Sequence, residues 1–190
     1  DERQREQNGK SFFAKARTIL DGDTIPVLSI SDFGTRGLEG NDTEKMSPWY
    51  RLLRKQGTAA QHGNTGGTFG IGQRAPFGFS DLRTVFYSTR TRDRFAFLGK
   101  SILCTFDDPR DRTTRRNVGY LGVLDDQRVR AVTDDVNVPI PFRRRELGLD
   151  VHIVGYSDGD DWAQRRSREV VVSFFAAIEA GLLTVEMTED

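Results

Sequence analysis

Apolar positions recur at helical spacing at both ends of the chain and in short β-like runs between them. In SFFAKARTIL, Phe12, Phe13, Ala16 and Ile19 or Leu20 fall on one helical face, with Ser11 placed to cap the start and Asp21-Gly22 to end it. Residues 26–31 form an apolar, β-branched run that stops at Asp32-Phe33-Gly34, which puts a carboxylate at the mouth of a strand. Ser47-Pro48 opens a second helix by the cap-then-proline signal, with Trp49, Leu52 and Leu53 on one face and Gly57 closing it. The stretch 57–72 is small, polar and glycine-rich, longer than a tight turn needs, and predicts a mobile loop. Strand-like runs follow at 83–89, 94–98, 101–106, 118–123, 128–132 and 150–155, separated by polar turns as in an antiparallel meander. The last long element, 161–180, carries Val170, Val171, Phe174, Phe175 and Ile178 as an apolar stripe, and Gly181 ends it before a strand-like LLTVEM. Helices at both ends and strands in the middle predict an α+β fold. The simplest arrangement is a two-layer sandwich with helices on one face of a mixed, mostly antiparallel sheet.

The 190 residues match one domain that buries a core without staples, and neither a repeat nor a linker divides 1–190. Charge is balanced, 28 basic against 28 acidic residues, which argues against a chain whose main task is coating DNA or an anionic membrane. No run approaches the ~20 apolar residues of a membrane span, and DERQREQNGK lacks the apolar core of a signal peptide, so a cytoplasmic location is expected. One cysteine, Cys104, reads as a buried filler in SILCTF, and with His62 and His152 it forms no cluster of metal-ligand spacing. The arginines of 110–116 interleave with Asp107, Asp108 and Asp111 and read as a solvated loop, as do Arg143, Arg144 and Arg145. His62, within the glycine-rich stretch, reads as solvent-facing.

Two segments carry candidate chemistry. In GGTFGIGQRAPFGF, Gly66, Gly67, Gly70 and Gly72 crowd before a helix-compatible stretch. Consecutive N–H groups can there turn toward one point beside a helix N-terminus, which suits a phosphate chain, and Arg74 adds a charged fork. The spacing of Gly67, Gly70 and Gly72 is G-x-x-G-x-G, the reverse of the dinucleotide fingerprint. Gly99-Lys100-Ser101 imitates the end of a P-loop but has Arg94 where glycine is needed, so Lys100 reads as an exposed turn residue. In SISDFGTRGLEG, an acceptor-only carboxylate at a strand end with Gly34 and Gly37 after it lets backbone approach a flat ligand and accept a proton from an exocyclic amine. Taken singly, each segment also reads as a turn or a surface loop.

Together and in this order, the two segments resemble the GHKL ATPases, the superfamily of gyrase B, MutL, the ninety-kilodalton heat-shock chaperone and the MORC proteins. GGTFGIGQRAPF is similar to the glycine-rich lid of the chaperone and MORC branches, and SDLRTVFYST, GLDVHIVGY and VVVSFFAAIEAGLLTVEM are similar to a group of bacterial ATP-binding proteins, so the resemblance spans about residues 12–187. It implies a Bergerat-type fold that binds ATP with Mg²⁺. Asp32 would take the adenine amino group, Gly34 and Gly37 would wall the base, and Gly67, Gly70 and Gly72 with Gln73 and Arg74 would close over the phosphates. It also implies a lid at about 57–72 and a partner domain or second copy met on closure, while nucleic acid is a partner by analogy alone. The Asp turn is D-x-G-x-x-G, one residue longer than the family's common form; Gln73 stands where a Lys often follows the last lid glycine, and Leu149 where Thr is usual. The family's Glu-x-x-x-Asn helix, which supplies the general base and a Mg²⁺ ligand, is not found, since Glu6 is followed four places later by Lys10. It is therefore expected N-terminal to Asp1, and no residue here is assigned to catalysis. An interaction module that keeps the scaffold without nucleotide is the alternative.

Overall fold

The computed structural model describes residues 2–55, 71–108, 110–126, 128–159 and 161–189. In chain order the elements are α1 (Glu2–Leu20), β1 (Val27–Ser31), α2 (Pro48–Leu53), α3 (Ile71–Gly78), β2 (Ser80–Arg90), β3 (Phe95–Ile102), β4 (Phe106–Asp107), β5 (Thr114–Arg115), β6 (Val118–Leu121), β7 (Val123–Asp125), β8 (Arg128–Arg130), β9 (Gly148–Tyr156) and α4 (Trp162–Glu179). The main sheet has the order β1-β9-β2-β3-β6, with every pairing antiparallel, and β4-β5 and β7-β8 form two small ladders. The α+β class thus holds, while the parallel component expected of a mixed sheet is not present among the described residues. Nor is the sheet a simple meander, because β9 enters between β1 and β2.

Helices cover both faces of this sheet, not one. The cause lies in β2, which alternates Val85 and Tyr87 against Phe86, so that neither face is polar. Val85, Tyr87, Ala96 and Leu98 pack with Trp49 and Leu53 of α2 and Phe77 of α3 in the larger core. Ala16 of α1, flanked by Phe12 and Ile19, packs on the other face against Leu82 and Val154, with Phe86 at its border. Phe86 also joins Phe95, Phe97, Val132 and Val138 in a third cluster closed by Phe142. Helix α2 starts where the Ser-Pro signal places it, with the Ser47 hydroxyl accepting from the Tyr50 N–H and Pro48 in the first turn. Helix α1 instead runs through Ser11. Gly99-Lys100 forms no turn: β3 passes straight through it, and a Cβ at Gly99 would stand 2.8 Å from Leu121 Cβ across the sheet. Beyond Ile102 the chain leaves β3, so Cys104, expected to be buried, is exposed.

The chain groups into two compact units, Asp1–Tyr156 and Ser157–Asp190. The second holds α4, whose early turns are tied to Asp158 through Arg165 and Arg166. Its residues 182–187, expected as a strand, form no ladder. Among the described residues no helix is long and apolar enough to cross a membrane.

Candidate functional site

Strand β1 ends at Ser31, opposite Asp150, and the next residue keeps pairing in a different way. The Asp32 N–H donates to Leu149 O at 3.0 Å, and the Leu149 N–H donates to Asp32 Oδ1 at 2.9 Å. Thr35 Oγ1 donates to the same Oδ1 at 2.8 Å and accepts from the Gly37 N–H at 3.2 Å. Oδ1 is thus saturated by two donors, whereas Oδ2 of this exposed residue takes no hydrogen bond among the described residues. Gly34 is left-handed, with φ +69°, and a Cβ there would meet nothing within 4 Å, so space is open beside the carboxylate. Gly37 shares the φ of +69° but lies against the sheet end, where a Cβ would stand 2.6 Å from Arg90 O and 2.9 Å from Gly148 O. Of the two glycines, Gly34 leaves a face open and Gly37 permits close packing on β2 and β9.

The turn is anchored from behind by Arg144, which local charge patterning marks as solvated but which is 3% exposed. Its guanidinium pairs with the Asp150 carboxylate, donates to the carbonyls of Asp32, Glu146 and Leu147, and lies 4.9 Å from the Phe33 ring centroid. The signal for it is Asp150 itself, a carboxylate inside a strand buried on both faces, which requires a buried cation. Two residues on, His152 shares a face with Asp150. Its Nδ1 meets Ser29 Oγ at 2.8 Å, its Nε2 is buried without a partner among the described residues, and the ring stacks edge-on with Phe142. Burial pushes the His152 pKa below its ordinary value, against the pull of Asp150.

The phosphate-loop residues lie elsewhere. Gly67 and Gly70, His62 and the lid expected at 57–72, except its last two residues, fall outside the described residues. Gly72 lies in the first turn of α3 and has open space on its side-chain face, where a Cβ would meet nothing within 4 Å, and Arg74 lines a cavity of about 440 Å³. Gln73 does not point to a ligand: its Nε2 donates to the carbonyls of Arg51, Leu52 and Lys55, capping the C-terminal end of α2. Lys100, in the same cavity, pairs with Val85, while Leu149, which holds Asp32, pairs with Thr89. The two clusters therefore meet β2 four residues apart, about 13 Å at the usual strand rise. Among the described residues no three His, Cys, Asp or Glu side chains stand together as a metal site. Comparisons with protein families, with curated proteins and with solved structures find no match for this chain.

Proposed function

We propose that the chain is an ATP-binding domain of GHKL type that acts as a nucleotide-driven conformational switch, with Asp32 reading the adenine amino group. One observation carries this reading: a carboxylate held at a strand end by two donors on Oδ1, with Oδ2 exposed beside the open face of Gly34. An acceptor with no donor of its own selects an amine over a carbonyl at that place. Arg144 and the Leu149 N–H fix the turn in advance, so little order is lost when a flat ring docks. ATP with Mg²⁺ would supply the energy of the switch. Within this chain the residues left to hold its phosphates are Gly72 and Arg74 at the start of α3, with Gly67 and Gly70. No described carboxylate cluster is offered to the metal, and no hydrolytic step is assigned. The Bergerat-type arrangement, with a partner domain or second copy engaged on closure, belongs to the same proposal.

Isothermal titration of ATP with Mg²⁺ into the wild type and Asp32→Asn tests it. The amide turns a donor toward the adenine amine, and a loss of tenfold or more in affinity, about 1.4 kcal/mol, is expected with the far-UV spectrum unchanged. Affinity retained within a factor of two removes Asp32 from the site. Gln73 favours the second reading, a scaffold that binds a protein partner without nucleotide, because its amide is spent on α2. A wild type that gives no heat at high concentration selects that reading.

A further inference from the structure

Alternation along β3 sends Ala96, Leu98, Lys100 and Ile102 toward the face covered by α2 and α3, so an ammonium enters the layer of the larger apolar core. Lys100 is 4% exposed. Its Nζ stands 5.9 Å from the Phe77 ring centroid, and among the described residues it makes no hydrogen bond or ion pair. A buried cation without a counter-charge is costly, and its removal from water, with Arg54 and Arg74 nearby, pushes its pKa down to about 8. The cavity beside it, of about 440 Å³, lies in the size range of small-molecule sites. Lys15, Lys55, Arg74 and Arg83 also line it, and its one carboxylate among the described residues, Asp81, is already held by Lys15 at 2.8 Å. Four of its five cations thus face one space with no acid left among the described residues to neutralise them. Arg83 reaches it from a break in the β2–β9 pairing between Ser80 and Thr84, where its backbone takes φ 47°.

We propose that this cavity binds a phosphate-bearing small molecule, with Lys100 as the buried contact and Arg74, Arg83 and Lys55 completing the charge. Guanidinium forks match the geometry of phosphate oxygens, and an ammonium shielded from water gains more from an anion than an exposed one does. Apart from Arg74, the site uses residues outside the phosphate loop, and it stands whether or not Asp32 reads adenine. The phosphate is either free or the tail of that nucleotide.

Pyrophosphate is the probe, titrated calorimetrically into the wild type, Lys100→Met, Arg74→Ala and Asp32→Asn. Binding to the wild type and to Asp32→Asn alike is expected, weakened tenfold or more in Lys100→Met and threefold or more in Arg74→Ala. In phosphate-free buffer Lys100→Met should melt above the wild type, since an apolar chain of similar length replaces an unpaired charge, and pyrophosphate should raise only the wild-type midpoint. Competition by ATP in the wild type identifies the phosphate as the nucleotide's own; simultaneous binding identifies a separate ligand, and either upholds the site. No pyrophosphate binding by the wild type overturns it, as does undiminished binding by Lys100→Met. A Lys100→Met midpoint below that of the wild type without anion would assign Lys100 a packing role instead. ATP affinity unchanged in Asp32→Asn counts only against the adenine reading.

Discussion

A methyl group at Gly37 has no room, because carbonyls of Arg90 and Gly148 crowd the position it would take, whereas Gly34 has the same φ of +69° and open space around it. Gly37→Ala combines backbone strain with a clash against two strand ends, and a loss of about 3 kcal/mol is expected in urea unfolding. Gly34→Ala carries only the left-handed penalty, about 1 kcal/mol, and equal losses in the two variants would refute the packing role of Gly37. His152 gives a second test at this scale. Burial lowers its folded pKa below the 6.5 of an open chain, so below pH 6.5 the unfolded chain binds more protons and stability falls. Above that value the contribution is fully present. The groups around the ring are Ser29, Asp150, Arg144 and Phe142, of which Asp150 opposes the shift and Arg144 adds to it. The urea midpoint should therefore drop between pH 7 and 5.5, and the drop should shrink in His152→Gln; an unchanged slope would take His152 out of the account. Asp32 and Gly34 were legible in the sequence because a strand end and its turn are local. Arg144 and Lys100 were not: Arg144 sits in a run of three arginines that reads as solvated although its buried partner Asp150 is only six residues on, and Lys100 reads as an exposed turn residue because the helices that wall its cavity lie far away in the chain.

Among the elements, α2 is fixed to the sheet through one carboxylate. Asp42 Oδ1 accepts from Trp49 Nε1 and Arg54 Nε, each at 2.8 Å, and Oδ2 accepts from the Ala131 N–H at 2.9 Å, so the loop before α2, the helix and the segment after β8 share a residue. Burial raises the Asp42 pKa, but the bonds from Arg54, Trp49 and Ala131 outweigh it and leave the carboxyl below its ordinary value. Asp42→Ala strands three donors, one of them a half-buried guanidinium, and a loss of about 3–5 kcal/mol is expected by thermal or urea unfolding. A loss under about 1 kcal/mol would mean that the apolar contacts of Trp49 and Leu53 alone hold α2. Most elements were readable from periodicity: Ser47-Pro48 marks α2, and the runs at 83–89, 118–123 and 150–155 become β2, β6 and β9. The misread junction at Gly99-Lys100 has a physical cause. Glycine and lysine side by side imitate a turn, but here the glycine lets Leu121 and Phe86 close in and the lysine borders a cavity, neither of which local sequence reveals.

For the sheet as a whole, the decisive strand is β9, which the order of runs along the chain could not place. It pairs with β1 over the whole of that strand, from Val27 with Val154 to Ser31 with Asp150, and with β2 from Ser80 to Arg90. Both partners precede it by many residues, so the centre of the sheet closes only after long loops have been ordered, which is the costly kind of contact in folding. Alternate residues of β9 also serve both layers: Leu149 and Val151 pack on the larger core and Val154 on the α1 side. A chain ending at Leu147 keeps β2, β3 and β6 in sequence but loses the partner of β1, one wall of each layer and the Leu149 N–H that fixes Asp32. Such a chain is expected to show no cooperative urea transition and to bind a hydrophobic dye, because β2 would expose its full row of unpaired backbone groups along one edge. The complete chain should refold in milliseconds to seconds, slower than a helical protein of its size, and Ile153→Ala at the buried middle of β9 should cost about 2–5 kcal/mol. A truncated chain that unfolds cooperatively at the midpoint of the complete one would show that β2, β3 and β6 stand alone. In that case β9 would be an addition to a finished sheet, and the Asp32 turn would be built on an element the fold does not need.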